Sequence, residues 1–435
     1  PNINIFRDPR WGRGHETYGE DPYLTGQLGK QFVKGMQGDH PDYLKTVSTA
    51  KHYAVHSGPE PLRHEFNALV SERDLHETYL PAFRELVVNG GAYSVMCAYN
   101  QFRDYPCCAN PMLNSILRDD WGFDGYVVSD CWAISDFYRF QDYSEDAAEA
   151  SAVAVKNGTD LNCGSSYPHL TKAYEQGLIN EKEIDKAVKR LFTARFKLGM
   201  FDEDIPFAQI PFSENASEKN AKLSLEAAQK SIVLLKNANK TLPFSKNIQK
   251  LAVVGPNADN WEALLGNYNG IPKDPVTVLE GLQKKLKNTE ILFAEGSHLA
   301  EGVHNLHPIA GKYLMTEDGE PGVVGEYYNN AKLEGEPVFT RVDENIDFYW
   351  ESHAPAPTLP EDDFSIRWTG YIVPPVSGTY AIGCWGMPTL DVWLEGEKIL
   401  NHNTEHHALH HEETVELEAG KKYKFVYEYK NWYGD

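Results

Sequence analysis

Three observations predict an α/β protein that carries an all-β module toward its C-terminal side. Short apolar runs alternate with helical patterns over residues 1–200. A second, shorter alternation follows over 221–294, and from about 322 the pattern becomes strand after strand. Strands that alternate with helices build a parallel sheet covered by helices, and successive strands separated by Gly and Pro turns build an all-β domain.

In the first region the apolar runs are 47–53, 92–99 and 125–129. Between the first two, segment 72–89 places Leu75, Tyr79, Leu80, Phe83, Leu86 and Val87 on one helical face. Several runs end in polar residues: Lys51-His52, Tyr99-Asn100 and Asp130. In a barrel of parallel strands the reactive groups gather at the C-terminal strand ends, so these positions are chemically suggestive. A helix over 182–198 closes the region. Residues 201–217 read as a linker, broken at Asp204-Ile205-Pro206, Ile210-Pro211 and Ser213-Glu214-Asn215. The second alternation predicts a helix over 221–235, a strand over 251–254, a break at Gly255-Pro256-Asn257, a helix over 279–286 and a strand over 291–294. That is the beginning of an open α/β sandwich. The β-rich runs include 379–383, 390–394 and 424–429. The expected division is a barrel over 1–205, a linker over 206–220, the first part of a sandwich domain over 221–320 and a β module over 321–435.

Composition narrows the partners. With 435 residues, 41% hydrophobic and 24% charged, the chain has the balance of a soluble globular protein with two or three cores. Its formal net charge of −22 argues against nucleic acid or an anionic membrane as a partner, since both would repel it. The longest apolar runs, such as 231–235, fall far short of a membrane span. The 9 Trp and 24 Tyr offer rings on which sugar faces stack, although most rings serve a core. Among the six cysteines, Cys107-Cys108 is not a zinc spacing and there is no CxxC, so free buried thiols are the default, with pairing open to an exported protein. The cluster His402, His406, His407, His410 and His411 reads as an exposed strand or loop rather than a metal site. No motif implies a metal, nucleotide or redox cofactor.

Ordered motifs carry a resemblance. They are Phe6-Arg7-Asp8-Pro9-Arg10-Trp11-Gly12-Arg13-Gly14-His15-Glu16, the pair Lys51-His52, Ser94-Val95-Met96-Cys97-Ala98-Tyr99-Asn100, Trp121-Gly122-Phe123-Asp124-Gly125-Tyr126-Val127-Val128-Ser129-Asp130, and Ser231-Ile232-Val233-Leu234-Leu235-Lys236-Asn237. In this order they resemble glycoside hydrolase family 3 over residues 1 to about 310. The resemblance implies a (β/α)8-type barrel truncated at its N-terminal side, then the start of the α/β sandwich, with neither domain complete. It makes Asp130 the nucleophile of a retaining β-glycosidase. The bare residues allow two readings of Asp130: a carboxylate held rigidly at a barrel mouth, or a cap for the following helix. Retention needs a carboxylate beneath the anomeric carbon and a second acid about 5 Å away. The resemblance further implies Arg13, Lys51, His52 and Arg63 as grips on vicinal hydroxyls, and Met96 and Tyr99 as lining near the nucleophile. A tyrosine hydroxyl there would tune the carboxylate's ionisation.

In most of the family the acid is a Glu on a second-domain loop, expected beyond residue 435. One branch, acting on N-acetylglucosaminides, uses an Asp-x-His after the Lys-His pair, but residues 54–64 contain His56 and His64 without that motif. Ser129-Asp130-Cys131 and Asp160-Leu161-Asn162-Cys163-Gly164 resemble the xylosidase branch. The expected activity is therefore exo-hydrolysis of terminal β-D-xylosyl or β-D-glucosyl residues from oligosaccharides or aryl β-glycosides. A non-catalytic sugar-binding scaffold and a β-N-acetylhexosaminidase are the other readings. A periplasmic or secreted location is expected. Residues 322–435 resemble a PA14 module through Gly325-Glu326-Tyr327-Tyr328, Ile366-Arg367-Trp368-Thr369-Gly370-Tyr371, Gly378-Thr379-Tyr380 and Leu390-Asp391-Val392-Trp393-Leu394-Glu395-Gly396. Some PA14 lectins hold calcium through adjacent Asp residues. The stretch Cys384-Trp385-Gly386-Met387-Pro388-Thr389 has none, which disfavours a calcium lectin.

Overall fold

The computed structural model describes residues 1–435 except 246, 267–271, 303, 351–352, 387, 404–408 and 433–435. The chain divides into two compact units, Pro1–Lys240 with Leu265–Asp274, and Thr241–Leu264 with Pro275–Asp435. The division runs through the stretch 221–320 that the sequence groups as one part.

In the first unit, helix α1 spans Pro22–Gln37, capped by Asp21, whose side chain accepts from the Tyr23 and Leu24 N–H groups, with Pro22 in the first turn. Three parallel strands follow: β1 (Thr49–Tyr53), β2 (Ser94–Cys97) and β3 (Tyr126–Ser129), side by side in chain order. Parallel bridges extend the row at both ends, Asn2 to Lys51 and Val128 to Leu161. Strand positions added in chain order, with helices between them, form the arc of a barrel.

Residues 72–89 are helical as the apolar stripe predicts, and Leu75, Leu80, Phe83 and Leu86 are buried. The turns Leu75–Tyr79 and Glu85–Asn89 widen to π geometry, the first of them just before Pro81, which has no N–H to continue a regular ladder. Helices α2 (Ala147–Lys156) and α3 (Glu181–Lys197) follow, the latter opened by an Asn180/Glu183 capping box. Asp160, just before the bridge at Leu161, is buried and accepts from Arg118 at 2.9 Å and Arg190 at 2.8 Å.

Helix α4 covers Glu218–Ser231 and is shorter than the expected 221–235. Ile232 turns extended (φ −74°, ψ 123°), because the β-branched pair Ile232-Val233 favours extended backbone.

In the second unit, strands β4 (Lys250–Val254) and β5 (Glu290–Ala294) pair in parallel, and helix α5 (Val278–Lys285) lies between them in sequence. The β module consists of β6 (Val323–Tyr328), β7 (Phe339–Asp343), β8 (Phe364–Ile372), β9 (Gly378–Gly386), β10 (Thr389–Leu394), β11 (Glu397–Asn403), β12 (Leu409–Leu417) and β13 (Tyr423–Asn431). One antiparallel sheet runs β7-β6-β8-β13-β10-β11, with a short strand at Leu314–Met315 beside β8, and β9 pairs with β12. Its core gathers Tyr327, Phe364, Trp368, Val392 and Phe425.

Two expectations need correction. The free thiols give way to two disulfides, Cys97–Cys108 and Cys131–Cys163, while Cys107 and Cys384 are free and buried. The parallel arc brings Cys131 and Cys163, 32 residues apart, to neighbouring strand ends with Cα atoms 4.4 Å apart, and the turn Cys107–Ala109 returns Cys108 to the end of β2, its Cα 5.0 Å from that of Cys97. The histidine cluster is not uniformly exposed either. His402 is buried on β11, with Nε2 2.8 Å from the Gly386 carbonyl and Nδ1 3.3 Å from His411 Nδ1. Strand β12, which belongs to the other sheet and carries His411, lies against this face of β11. His406 and His407 lie outside the described residues.

Candidate active site

Asp130 stands immediately after β3. Its N–H donates to the Cys97 carbonyl at 3.1 Å, so the backbone that carries the carboxylate is tied to β2. Oδ1 accepts from the Cys131 N–H at 2.9 Å rather than capping the helix Asp136–Arg139. The Cys131–Cys163 bridge joins this strand end to the loop after Leu161. Oδ2 has no such tie. It lies 3.2 Å from His52 Nε2 and 3.6 Å from Arg13 Nη1.

Arg13 is buried: its Nε and Nη2 donate to the two oxygens of Glu16 at 2.7 and 3.0 Å, and its Nη1 lies toward Asp130. Asn2 adds a donor to Glu16 at 3.3 Å. The pairing of β1 with β2 is irregular between Lys51 and Tyr53. A bulge there breaks the strict alternation of faces, so the neighbours Lys51 and His52 both act on Asp130, Lys51 through its charge and His52 by contact.

Protonation follows from this packing. Burial pushes the Asp130 carboxyl above the usual carboxylate range, and the Arg13 and Lys51 cations, the Cys131 N–H and the Tyr99 hydroxyl only partly oppose it. Burial also acts on Glu16, but there the Arg13 hydrogen bonds win and its pKa is lowered. Two carboxylates thus flank one guanidinium: Glu16 stays ionised, and Asp130 holds its charge less readily. His52 is pushed well below its ordinary range by burial and by the surrounding positive groups, and burial takes His56 down to about 3. Both imidazoles are therefore neutral at ordinary pH. Asn4 commits its Nδ2 to the His52 carbonyl and its Oδ1 to the His52 N–H, which assigns the proton to His52 Nδ1, 3.1 Å from that oxygen. Asn100 commits its Nδ2 to the Val55 and Gln101 carbonyls, so its Oδ1 accepts from His56 Nδ1 at 2.9 Å. In each ring Nε2 is left to present a lone pair.

Tyr99 sits just beyond β2. Its hydroxyl interacts with Asp130, and burial and that carboxylate raise its pKa. Its ring lies between His56 (5.8 Å) and His64 (4.7 Å). Arg63 is ion-paired with Glu60, and its charge reaches Tyr99 and His56, so it sits at the rim rather than beside the carboxylate. Met96 is half-buried on β2, in register between Lys51 and Val128, and supplies apolar wall.

The structure therefore brings Asp130, Arg13, Lys51, His52 and Tyr99 together, with Met96 in the adjoining strand row and Arg63 at the edge. Sequence reasoning did not single out Asn4, Trp11, Glu16 or His56 for the site, and it marked Asn100 only as part of a polar strand end, without a role. Trp11 and Glu16 lie inside the motif that contains Arg13, which was the available signal, whereas nothing local marks Asn4. Among the described residues, Trp11 Nε1, His52 Nε2, His56 Nε2, Arg63 Nε and Asp130 Oδ2 are buried without a hydrogen-bond partner. Trp11 and His52 join this group through His56, their rings 6.0 and 5.1 Å from it. Orphaned polar atoms are costly in a folded protein, and their concentration marks a cradle for a polar ligand.

A barrel-type α/β domain with a polar centre at its C-terminal strand ends is the class that fold and site define. The chain belongs to glycoside hydrolase family 3: residues 1–194 match the glycosyl hydrolase family 3 N terminal domain, and residues 319–433 match the PA14 domain. It is 42% identical over 419 residues to a xylan 1,4-β-xylosidase of Xylanibacter ruminicola, covering 92% of this chain and 48% of that protein. It is 44% identical over 304 residues to a probable β-D-xylosidase of Arabidopsis thaliana, covering 66% and 40% respectively. Among solved structures, an exo-β-xylosidase of this family in complex with a xylobiose aziridine probe superposes with a TM-score of 0.66 at 36% identity, covering 70% of this chain and 40% of that one. A β-glucosidase from Kluyveromyces marxianus in complex with glucose gives 0.72 at 26% identity, covering 99% and 51%. The chain thus spans about half or less of the length of these relatives.

Proposed function

We propose that the protein is an exo-acting, retaining β-glycosidase that removes terminal β-D-xylosyl or β-D-glucosyl residues from oligosaccharides through a covalent bond to Asp130. The observation that carries this reading is the set of buried, unpartnered polar atoms around that carboxylate. Sugar hydroxyls both donate and accept, so they can satisfy the lone pairs of His52 and His56 and the N–H groups of Trp11 and Arg63 together. Arg13, Lys51, His52 and Arg63 grip the sugar. Tyr99 and Arg13 hold Asp130 in its nucleophilic form, and Met96 walls the ring.

In the first step an Asp130 oxygen attacks the anomeric carbon as the glycosidic bond breaks and the aglycone departs. In the second, water displaces Asp130 and restores the carboxylate, with net retention. We nominate no residue of this chain as the proton donor. The names of the β-xylosidase relatives support xylosyl as the first substrate to try, and the β-glucosidase neighbour supports glucosyl as the second. The two disulfides support a periplasmic or secreted location, because such bonds persist in oxidising compartments.

Release of 4-nitrophenol from its β-xyloside and β-glucoside tests the reading. Cleavage of either is expected. Binding of xylobiose without any cleavage would favour a sugar-binding scaffold instead.

A further inference from the structure

His64 lies outside every motif used above, yet it is one of the most firmly placed side chains at the rim. Its Nδ1 is 2.8 Å from Asp136 Oδ2. The Asp136 side chain is 2% exposed, whereas that of His64 is 41% exposed. The ring packs edge-on against Tyr99 at 4.7 Å and lies 5.6 Å from Phe140. Gln141 Nε2 donates to the His64 carbonyl at 2.9 Å and to the Tyr99 carbonyl at 2.7 Å, which ties the two backbones together. A ring of contacts therefore closes on the site: Asp130, the turn that leads to Asp136, His64, Tyr99 and back to Asp130 through the Tyr99 hydroxyl.

Packing alone does not account for this arrangement. An apolar ring would fill the space beside Tyr99 and Phe140 without a buried carboxylate, which is costly unless paired. What the Asp136–His64 pair adds is orientation. With Nδ1 turned to Asp136, the exposed side of the imidazole carries Nε2, and among the described residues that atom has no hydrogen-bond partner. Neutral imidazole accepts there and imidazolium donates, and a hydroxyl can answer either.

We propose that His64 binds a hydroxyl of the sugar substrate through Nε2, with Asp136 and Gln141 as the residues that position it. The inference rests on the glycoside reading above. It adds a polar contact on the Tyr99 side of the site to the grip formed by Arg13 and His52.

Titration of the full chain with S-linked xylobiose, a thioglycoside that binds without being cleaved and is the xylobiose used throughout this test, followed by tryptophan fluorescence, tests it. The double substitution His64→Phe with Asp136→Asn keeps a ring against Tyr99 and leaves no buried charge unpaired, and it is expected to weaken binding roughly tenfold, the worth of one good hydrogen bond. His64→Gln, whose amide can stand in for Nε2, is expected to stay within about threefold of wild type. Wild-type affinity in the double variant overturns the proposal. A second readout needs no disruptive substitution. With 15N-labelled histidines, the His64 resonance, identified by its loss in His64→Gln, moves on saturation with xylobiose, and an unmoved resonance overturns the proposal even if the double variant fails to fold. Failure of the wild type to bind xylobiose or cellobiose is a different result and brings down the glycoside reading itself.

Discussion

Both units of the molecule bury aspartates: the β module pairs its own fully, whereas the first unit pairs Asp160 with two arginines and leaves an oxygen of Asp130 open. In the β module, Asp343 accepts from Tyr327 at 2.6 Å, Trp368 at 2.8 Å and Arg341 at 2.5 Å, and Asp391 is held by Lys398 at 2.9 Å, Asn401 at 2.5 Å and Lys430 at 3.3 Å. In the first unit, Asp130 is as deeply buried, but its Oδ2 faces a neutral imidazole and a guanidinium already engaged by Glu16. Among the described residues, every buried side-chain atom without a hydrogen-bond partner lies between Trp11 and Ser144, none in the β module. Fully paired polar groups stabilise and specify a fold, whereas polar groups left open are kept at a cost for something that comes and goes.

Substitution at these aspartates sharpens the contrast most strongly. Asp130→Asn is expected to reduce kcat on an aryl β-xyloside about 10³-fold or more, as loss of a covalent nucleophile does, while its thermal midpoint equals or exceeds that of wild type. Asp343→Asn should do the reverse, keeping activity and losing about 2–4 kcal/mol of stability, because it breaks a buried, multiply bonded charge. Denaturant unfolding of the two variants beside wild type would break the comparison if Asp130→Asn proved the less stable.

Arg13→Lys ranks next. Lysine cannot hold Glu16 with a fork and still reach Asp130, so kcat/KM is expected to fall roughly 10- to 100-fold. A change under threefold would mean that the fork is not part of the grip.

The smallest effects are in pH dependence. Burial raises the folded pKa of Asp130 above its unfolded value, so the cost of its charge is absent at low pH and grows as pH climbs through the raised pKa. The stability advantage of Asp130→Asn over wild type should therefore widen from about pH 4 toward neutrality. Asp391 has the opposite sign: burial is outweighed by the Lys398 and Asn401 hydrogen bonds, and its pKa is lowered. Its contribution is present above the unfolded pKa and is lost as pH falls through the folded one. The deficit of Asp391→Asn should accordingly shrink on acidification. Melting curves across pH that move in the same direction for both variants would contradict the assignment.

What the sequence discloses is local. The polar ends of the runs at Lys51-His52, Tyr99-Asn100 and Asp130 could be read directly, because strand ends and reactive groups coincide in a parallel barrel, and the helical stripe over 72–89 followed from its period. Contacts between neighbouring strands could not be read in this way. Cys131 and Cys163 are 32 residues apart and meet only because one strand lies beside the next. Asn4 orients His52 from 48 residues away, and His64 meets Asp136 across 72. Helix α4 ended early because the apolar pattern of Ile232 to Leu235 suits a helix and an extended segment alike, and branching decided for the latter.

The most direct measurement is to label the protein with 2-deoxy-2-fluoro-β-D-xylosyl fluoride, which slows release of the glycosyl-enzyme, and to locate the adduct by mass spectrometry of a proteolytic digest. One fluoroxylosyl group is expected on the peptide that contains Asp130 and none on the Asp130→Asn protein. A label on another carboxylate, or an equal label on the variant, would contradict it.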